Sequence, residues 1–157
     1  MTEPKRVLFV CLGNICRSPI AEAVFLHLVK QRKLEDKWIA DSAATGSWHT
    51  GSLPDKRALS TLKKHNIPYN NTARQVHRDD FIEYDYIFGM DEHNQQDLEE
   101  EARRVKNPKA KIMLLGEMCP EDDVTIRDPY YDSGSKGFEE CYEKCLKCCT
   151  AFLDKYS

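Results

Sequence analysis

The chain has 157 residues, 41% of them hydrophobic and 31% charged, the make-up of one globular domain, residues 1–157, with enough core to fold without staples. A net charge of −3 excludes the basic footprint of a nucleic-acid binder or of a protein held on an anionic membrane, so an anionic ligand must be held by local groups. Lys5-Arg6 before the run Val7–Leu12 imitates the start of a leader, but Asn14, Arg17 and Ser18 break it, and no run reaches the roughly 20 apolar residues of a membrane span. Seven cysteines, an odd number, fit a reducing compartment, and a cytoplasmic protein is expected.

In chain order, the first β-favouring run is Arg6–Val10, followed at once by Cys11-Leu12-Gly13-Asn14-Ile15-Cys16-Arg17 and a helix. Ser18 is the expected cap of that helix, Pro19 its first position and Glu22 a charge at its positive end; it should run to about Arg32. A second strand is expected at Trp38–Asp41. Ser52-Leu53-Pro54 should open a helix burying Ala58, Leu59 and Leu62. A third strand at Tyr84–Met90 leads to a helix from about Asp91 with a polar, solvated tail. The fourth strand, Lys111–Leu115, is followed by a loop from Gly116 to about Gly137 that carries Cys119-Pro120 and Asp128-Pro129. Its length suggests function. The last helix should span about Phe138 to Lys155. Strands alternating with helices predict an α/β fold, a parallel sheet covered on both faces in three layers, α/β/α.

The run after the first strand carries the chemistry. A strand, a tight loop and a helix N-terminus turn backbone N–H groups inward and make an anion nest. Gly13 and Asn14 are the residues best suited to left-handed backbone angles there. Arg17 adds a planar fork for two phosphate oxygens. At the bottom of the nest, surrounded by N–H donors and a cation, Cys11 is favoured as a thiolate. It can attack phosphorus while the same groups hold the charge of the transferring phosphoryl. Ser18 is placed to hydrogen-bond the sulfur and ease its departure.

Cys11-Leu-Gly-Asn-Ile-Cys-Arg-Ser-Pro-Ile-Ala-Glu22, together with Asp128-Pro-Tyr-Tyr131, resembles the low-molecular-weight protein tyrosine phosphatases over essentially the whole chain. The resemblance implies a four-stranded parallel sheet in order 2-1-3-4, with the phosphate-binding loop after strand 1 at a topological switch point. It implies hydrolysis of aryl phosphates, phosphotyrosine above all, through a phosphocysteine on Cys11. Arg17 and the loop residues Leu12, Gly13, Asn14, Ile15, Cys16 and Ser18 would bind phosphate. It assigns Asp128 as general acid and then base, a role that an Asp-Pro in a loop would not claim alone. Trp48, Tyr130 and Tyr131 would form the cleft walls, and Tyr130 and Tyr131 resemble the family's kinase-regulated tyrosines. Phosphotyrosine proteins and small aryl phosphates are the expected partners and phosphate and vanadate the expected inhibitors. A monomer is expected, with no nucleic acid, no membrane, no cofactor and no metal.

Cys16 is a candidate resolving thiol for an oxidised Cys11. Asp91 either orients Arg17 or only caps its helix. Many members of the family carry a His three residues before the Arg of Ala-Arg-Gln that supports the loop Asn. Asn71 stands in that place here, and it is expected to support Asn14, against the plainer reading of a turn residue. Cys141, Cys145, Cys148 and Cys149 suggest a zinc cluster, but with Phe138 and Phe152 they lie on one helical face and pack as small hydrophobes. The five histidines show no metal spacing and are read as surface or supporting residues. Two alternatives remain. A related arsenate reductase would need cysteines near mid-chain, and residues 66–105 contain none. A phosphotyrosine-binding module would not need Cys11 and Asp128.

Overall fold

Side chains that alternate along the first strand divide the interior in two. In β1 (Lys5–Cys11), Val7, Phe9 and Cys11 belong to one core cluster and Leu8 and Val10 to the other. The computed structural model describes residues 3–119 and 123–157; Pro120 of the expected loop lies outside them. The larger cluster is covered by α1 (Arg17–Gln31), α2 (Lys56–Lys64) and α5 (Lys136–Tyr156). The smaller is covered by α3 (Asp80–Glu83) and α4 (Glu92–Ala102), through Phe81 and Leu98. Between the two layers lie β1, β2 (Trp38–Ala44), β3 (Tyr86–Gly89) and β4 (Lys111–Leu114). All pair in parallel in the order β2-β1-β3-β4, as the resemblance implies. Because β1 has a neighbour on either side, the chain leaves its C-terminal end at the crevice where the strand order reverses.

The cysteine-rich face of α5 is core: Phe138, Cys141, Cys145, Cys148, Cys149 and Phe152 are all buried. Trp38, Tyr86 and Phe88 surround Phe152 with ring centroids 5.1–5.2 Å away. Several boundaries differ from expectation: α1 starts two residues before Pro19, β2 runs on past Asp41 to Ala44, and β3 is shorter than Tyr84–Met90 at both ends. α2 starts at Lys56 because Asp55, not Ser52, supplies its cap, and Thr61 rather than Leu59 is buried beside Ala58 and Leu62. The long loop after β4 opens with a 3-10 turn, Leu115–Met118. The short α3, too brief for a periodic signal, was not anticipated.

Candidate active site

Three loop carbonyls determine where the loop's N–H groups point. Cys11 O, Leu12 O and Ile15 O accept from the backbone N–H groups of Thr45, Gly46 and Asp55 at 3.0, 3.0 and 2.8 Å. In a planar trans peptide the N–H points opposite to the carbonyl. The N–H groups of Leu12, Gly13 and Cys16 therefore turn inward, towards the N-terminus of α1, where an anion is favoured. Asn14 takes the left-handed turn (φ 57°). Gly13 does not; what it spares is a crowded contact, since a Cβ there would lie 3.0 Å from Cδ2 of His49 and the imidazole would have to shift by a few tenths of an ångström.

Cys11 sits on the floor, 3% exposed, with its sulfur 3.2 Å from the Asn14 N–H and 3.0 Å from Ser18 Oγ. Ser18 therefore does not cap α1; it lies in the second position of the helix, which has no side-chain cap. The proton directions beneath the loop follow from one another. Arg74 N–H donates to Asn14 Oδ1 (3.1 Å), which fixes the amide. Asn14 Nδ2 then donates to both Ser18 Oγ (2.8 Å) and Ser42 Oγ (2.9 Å). Ser42 passes its own proton to Glu22 Oε1 (2.6 Å), which also accepts from the Tyr69 hydroxyl (2.7 Å). Ser18 Oγ still has its proton and one lone pair to share with the Cys11 sulfur 3.0 Å away, and once Cys11 is a thiolate the hydroxyl is the donor of that pair. Burial raises Glu22 above the usual carboxylate range, against the bonds from Ser42 and Tyr69.

Arg17 is almost fully buried. Its Nη1 donates to Asp91 Oδ2 (2.7 Å) and Ile126 O (2.9 Å), its Nη2 lies 3.6 Å from Asp128 Oδ2, and its buried Nε has no partner among the described residues. Burial alone would lower the guanidinium; Cys11, Asp91 and Asp128 outweigh it and hold Arg17 above its ordinary value. Asp91 also accepts the Asn94 N–H (2.8 Å), so it orients the arginine and caps α4 at once. Asp128 Oδ1 accepts from Tyr130 N–H (3.1 Å). A cavity of about 350 Å³ joins Cys11, Leu12, Gly13, Ile15 and Cys16 to Asp128, with Trp48, His49, Tyr130 and Tyr131 as walls. Asn14 and Ser18 lie beneath it, and Cys16 is held well above the ordinary thiol range, first by burial and then by Cys11.

The structure does not bring Asn71 to Asn14. Asn71 Nδ2 donates to Asp41 Oδ1 (3.0 Å) and its Oδ1 accepts the Thr72 N–H, and Asn71 acts on Glu22 only as the smallest of the three side chains that lower its carboxyl, after Ser42 and Tyr69. Tyr69, two residues earlier and longer, is the side chain that reaches Ser42 and Glu22. Sequence reasoning missed Tyr69, Ser42 and the buried role of Glu22, and it missed His49 as a wall residue.

A family model described as "Low molecular weight phosphotyrosine protein phosphatase" matches residues 6–156. A protein of that name from Gallus gallus is 55% identical over 153 residues, 98% of this chain and 96% of its own length. Among solved structures, Primo-1 superposes with a TM-score of 0.92 at 44% identity, covering 97% of this chain and 98% of the other. A protein named DARP, drosophila arginine phosphatase, superposes with a TM-score of 0.93 at 42% identity, covering 96% and 97%.

Proposed function

This chain belongs to the low molecular weight phosphotyrosine protein phosphatase family and is a phosphoric monoester hydrolase; from that premise we propose how its own residues divide the work. The inward N–H groups of the loop and the Nε and Nη2 edge of Arg17 hold the phosphoryl oxygens. Cys11 sulfur forms a bond to phosphorus as the bond from phosphorus to the leaving oxygen breaks, and Asp128 passes its proton to that oxygen. Water, deprotonated by the resulting Asp128 carboxylate, then takes the phosphoryl group from sulfur. Ser18 offers its proton to the departing thiolate, and Asp91 holds Arg17 in place. The observation that carries this reading is the convergence on Cys11 of the inward N–H groups and a buried Arg17 with an unpartnered Nε.

Trp48, Tyr130 and Tyr131 suit an aromatic substrate ring, so phosphotyrosine proteins and small aryl phosphates are the substrates proposed, with phosphate and vanadate as competing oxyanions. A phosphoarginine substrate, as the name of the drosophila neighbour raises, would bring a guanidinium into the cleft. Asp128 is the one carboxylate among the described lining residues, and its role as acid leaves none to pair with that cation. The working unit proposed is one domain, monomeric and cytoplasmic; among the described residues no helix is long and apolar enough to cross a membrane. The test is turnover of a phosphotyrosine peptide and of a phosphoarginine peptide without added metal, with acid quench to trap the intermediate. A phosphocysteine at Cys11, loss of turnover but retained vanadate binding in Cys11→Ser, and preference for the aryl ester are expected. Phosphate recovered on another residue, or activity in Cys11→Ser, overturns the mechanism.

A further inference from the structure

One guanidinium fastens the segment that carries Asp128 to the phosphate loop. Asp55, just before α2, donates its backbone N–H to Ile15 O at 2.8 Å. Its carboxylate caps α2 and grips Arg57 with both oxygens. Oδ1 accepts from the Arg57 backbone N–H (2.8 Å) and from Nε (3.0 Å), and Oδ2 accepts from Nη2 (3.0 Å). The other edge of the guanidinium meets three carbonyls of the loop after Asp128. Nη1 donates to Asp132 O (2.6 Å) and Gly134 O (3.3 Å), and Nη2 to Tyr130 O (2.8 Å). All five guanidinium N–H groups thus have an oxygen partner. The carbon at the centre of the fork lies 4.5 Å from the centroid of the Phe138 ring in α5.

The placement matters because the segment is held differently at its two ends. Upstream of Asp128, Ile126 is buried, with its N–H on Met90 O and its carbonyl on Arg17. Downstream, residues 130–136 are largely exposed. The Arg127–Asp132 ion pair (2.7 Å) is itself on the surface, where such pairs hold little. Beyond the ring contact of Tyr130 with His49, Arg57 ties this stretch to α2 by three hydrogen bonds and, through Asp55, to the carbonyl of Ile15 in the phosphate loop. A lysine offers one ammonium and no flat fork, so it cannot hold two carboxylate oxygens and three carbonyls together.

We propose that the Asp55–Arg57 pair is a positioning element for the leaving-group acid, registering the Asp128 segment against the phosphate loop so that its carboxyl meets the oxygen that leaves phosphorus. The inference rests on the reading of Asp128 as general acid. The pair does not touch the phosphoryl group, so its loss acts on proton delivery and leaves oxyanion binding and Cys11 in place.

The experiment measures kcat for aryl phosphates of increasingly basic leaving groups, from p-nitrophenyl to phenyl phosphate, with vanadate affinity alongside. The variants are Arg57→Met, which keeps an unbranched side chain of similar reach without the guanidinium, Arg57→Lys, and Asp55→Asn, which keeps the cap oxygen and the bond to Ile15. Each is also made in an Asp128→Asn background. Arg57→Met should slow phenyl phosphate by about 10-fold or more while slowing p-nitrophenyl phosphate far less, since only the former needs the proton. Vanadate affinity should stay within about 3-fold, because the loop and Arg17 are intact. Arg57→Lys should not restore the slope, and Asp55→Asn should steepen it by a smaller factor. In the Asp128→Asn background none of these changes should steepen it further. Equal losses for all leaving groups, or the same steepening without Asp128, would overturn the positioning role while leaving the acid assignment standing. An unchanged slope in Asp128→Asn alone would overturn the acid assignment and this inference with it.

Discussion

Asp91 serves two donors with two oxygens, and Asp91→Asn leaves it one. In the protein Oδ1 accepts the Asn94 N–H and Oδ2 accepts Arg17 Nη1. An amide that keeps the cap turns its own NH2 towards the guanidinium; an amide that turns round loses the cap. Loss of an Asp cap costs about 1 kcal/mol. An unmade bond to a buried charged group costs about 1–3 kcal/mol, and at 2% exposure Arg17 gains little relief from solvent. The variant incurs one loss or the other, and at this chain length each kcal/mol corresponds to about 2–4 °C of melting temperature. Arg17 Nη1 would keep only Ile126 O, and a fork displaced by about 1 Å costs up to about 100-fold in rate. We therefore expect kcat/KM for p-nitrophenyl phosphate to fall by roughly 10- to 100-fold on the same grounds. The pH dependence gives a second check. Burial pushes the Asp91 carboxyl up, but the bonds from Arg17 and Asn94 outweigh it and hold it below the usual range. A depressed folded value means that the contribution is present above the unfolded value, near about 3.9, and is lost as pH falls through the folded one. Melting of wild type and variant, followed from neutral to acid pH, should differ fully at neutrality and converge below about pH 4. A gap that does not change with pH, or an unchanged kcat/KM beside a small fall in melting temperature, would reduce Asp91 to a helix cap.

Three further outcomes follow from the loop's supports. Tyr69→Phe removes one of the two donors to the buried Glu22 Oε1 and should cost about 1–3 kcal/mol, whereas Asn71→Ala loses a half-exposed bond to Asp41 and should cost under about 1 kcal/mol; thermal melting in the reverse order would return the supporting role to Asn71. Glu22 is raised by burial, so its stabilising contribution is present below the unfolded value and lost as pH rises through the folded one. Glu22→Gln should thus gain on the wild type as pH rises from about 4 to 7, and a melting difference independent of pH in that range would place its charge outside the network. Peroxide should oxidise Cys11 to a sulfenic acid, from which Cys16 displaces water to give a disulfide that dithiothreitol reverses. Because burial and Cys11 hold the Cys16 thiol up, ring closure should speed up with pH; loss of activity that no thiol reverses, with peptide mapping showing Cys11 overoxidised, would exclude Cys16 as partner.

What the sequence made legible was whatever local pattern controls. The β-favouring run before Cys11 and the helical run after it locate the nest, and Asn14 takes the left-handed turn expected of it. The strand order was available only through the resemblance, since nothing local says on which side of β1 a later strand will pair. Ser18 shows how a local rule fails: a serine before a proline reads as a cap, yet its hydroxyl is drawn instead to Cys11 and Asn14, and the helix begins at Arg17, two residues before Pro19. Gly13 fails in the other direction: its torsion is ordinary, and what bears on it is the approach of His49 from a distant loop.

The supports of the loop were hidden for a different reason: half of them are backbone. Arg74 N–H fixes the Asn14 amide, Ile126 O fixes Arg17, and Thr45, Gly46 and Asp55 N–H groups turn the loop carbonyls outward. A main-chain donor leaves no trace in residue type, so no spacing rule could have pointed to position 74 or 126. The side-chain supports did leave a trace of another kind. Glu22 sits among Ile20, Ala21, Ala23 and Val24, all of them buried, and Ser42 is a hydroxyl in a strand that buries Ala43 and Ala44. A carboxylate in such surroundings is stable only with donors supplied to it. One turn of helix separates it from Ser18, and its donors come from the strand beside it, Ser42, and from the coil after α2, Tyr69. Ser42 is the hydroxyl that the parallel register sets opposite Phe9, two residues before Cys11. A charge where the pattern asks for an apolar residue was therefore the readable sign of the network, more informative than the Asn-rich turn that drew attention to Asn71.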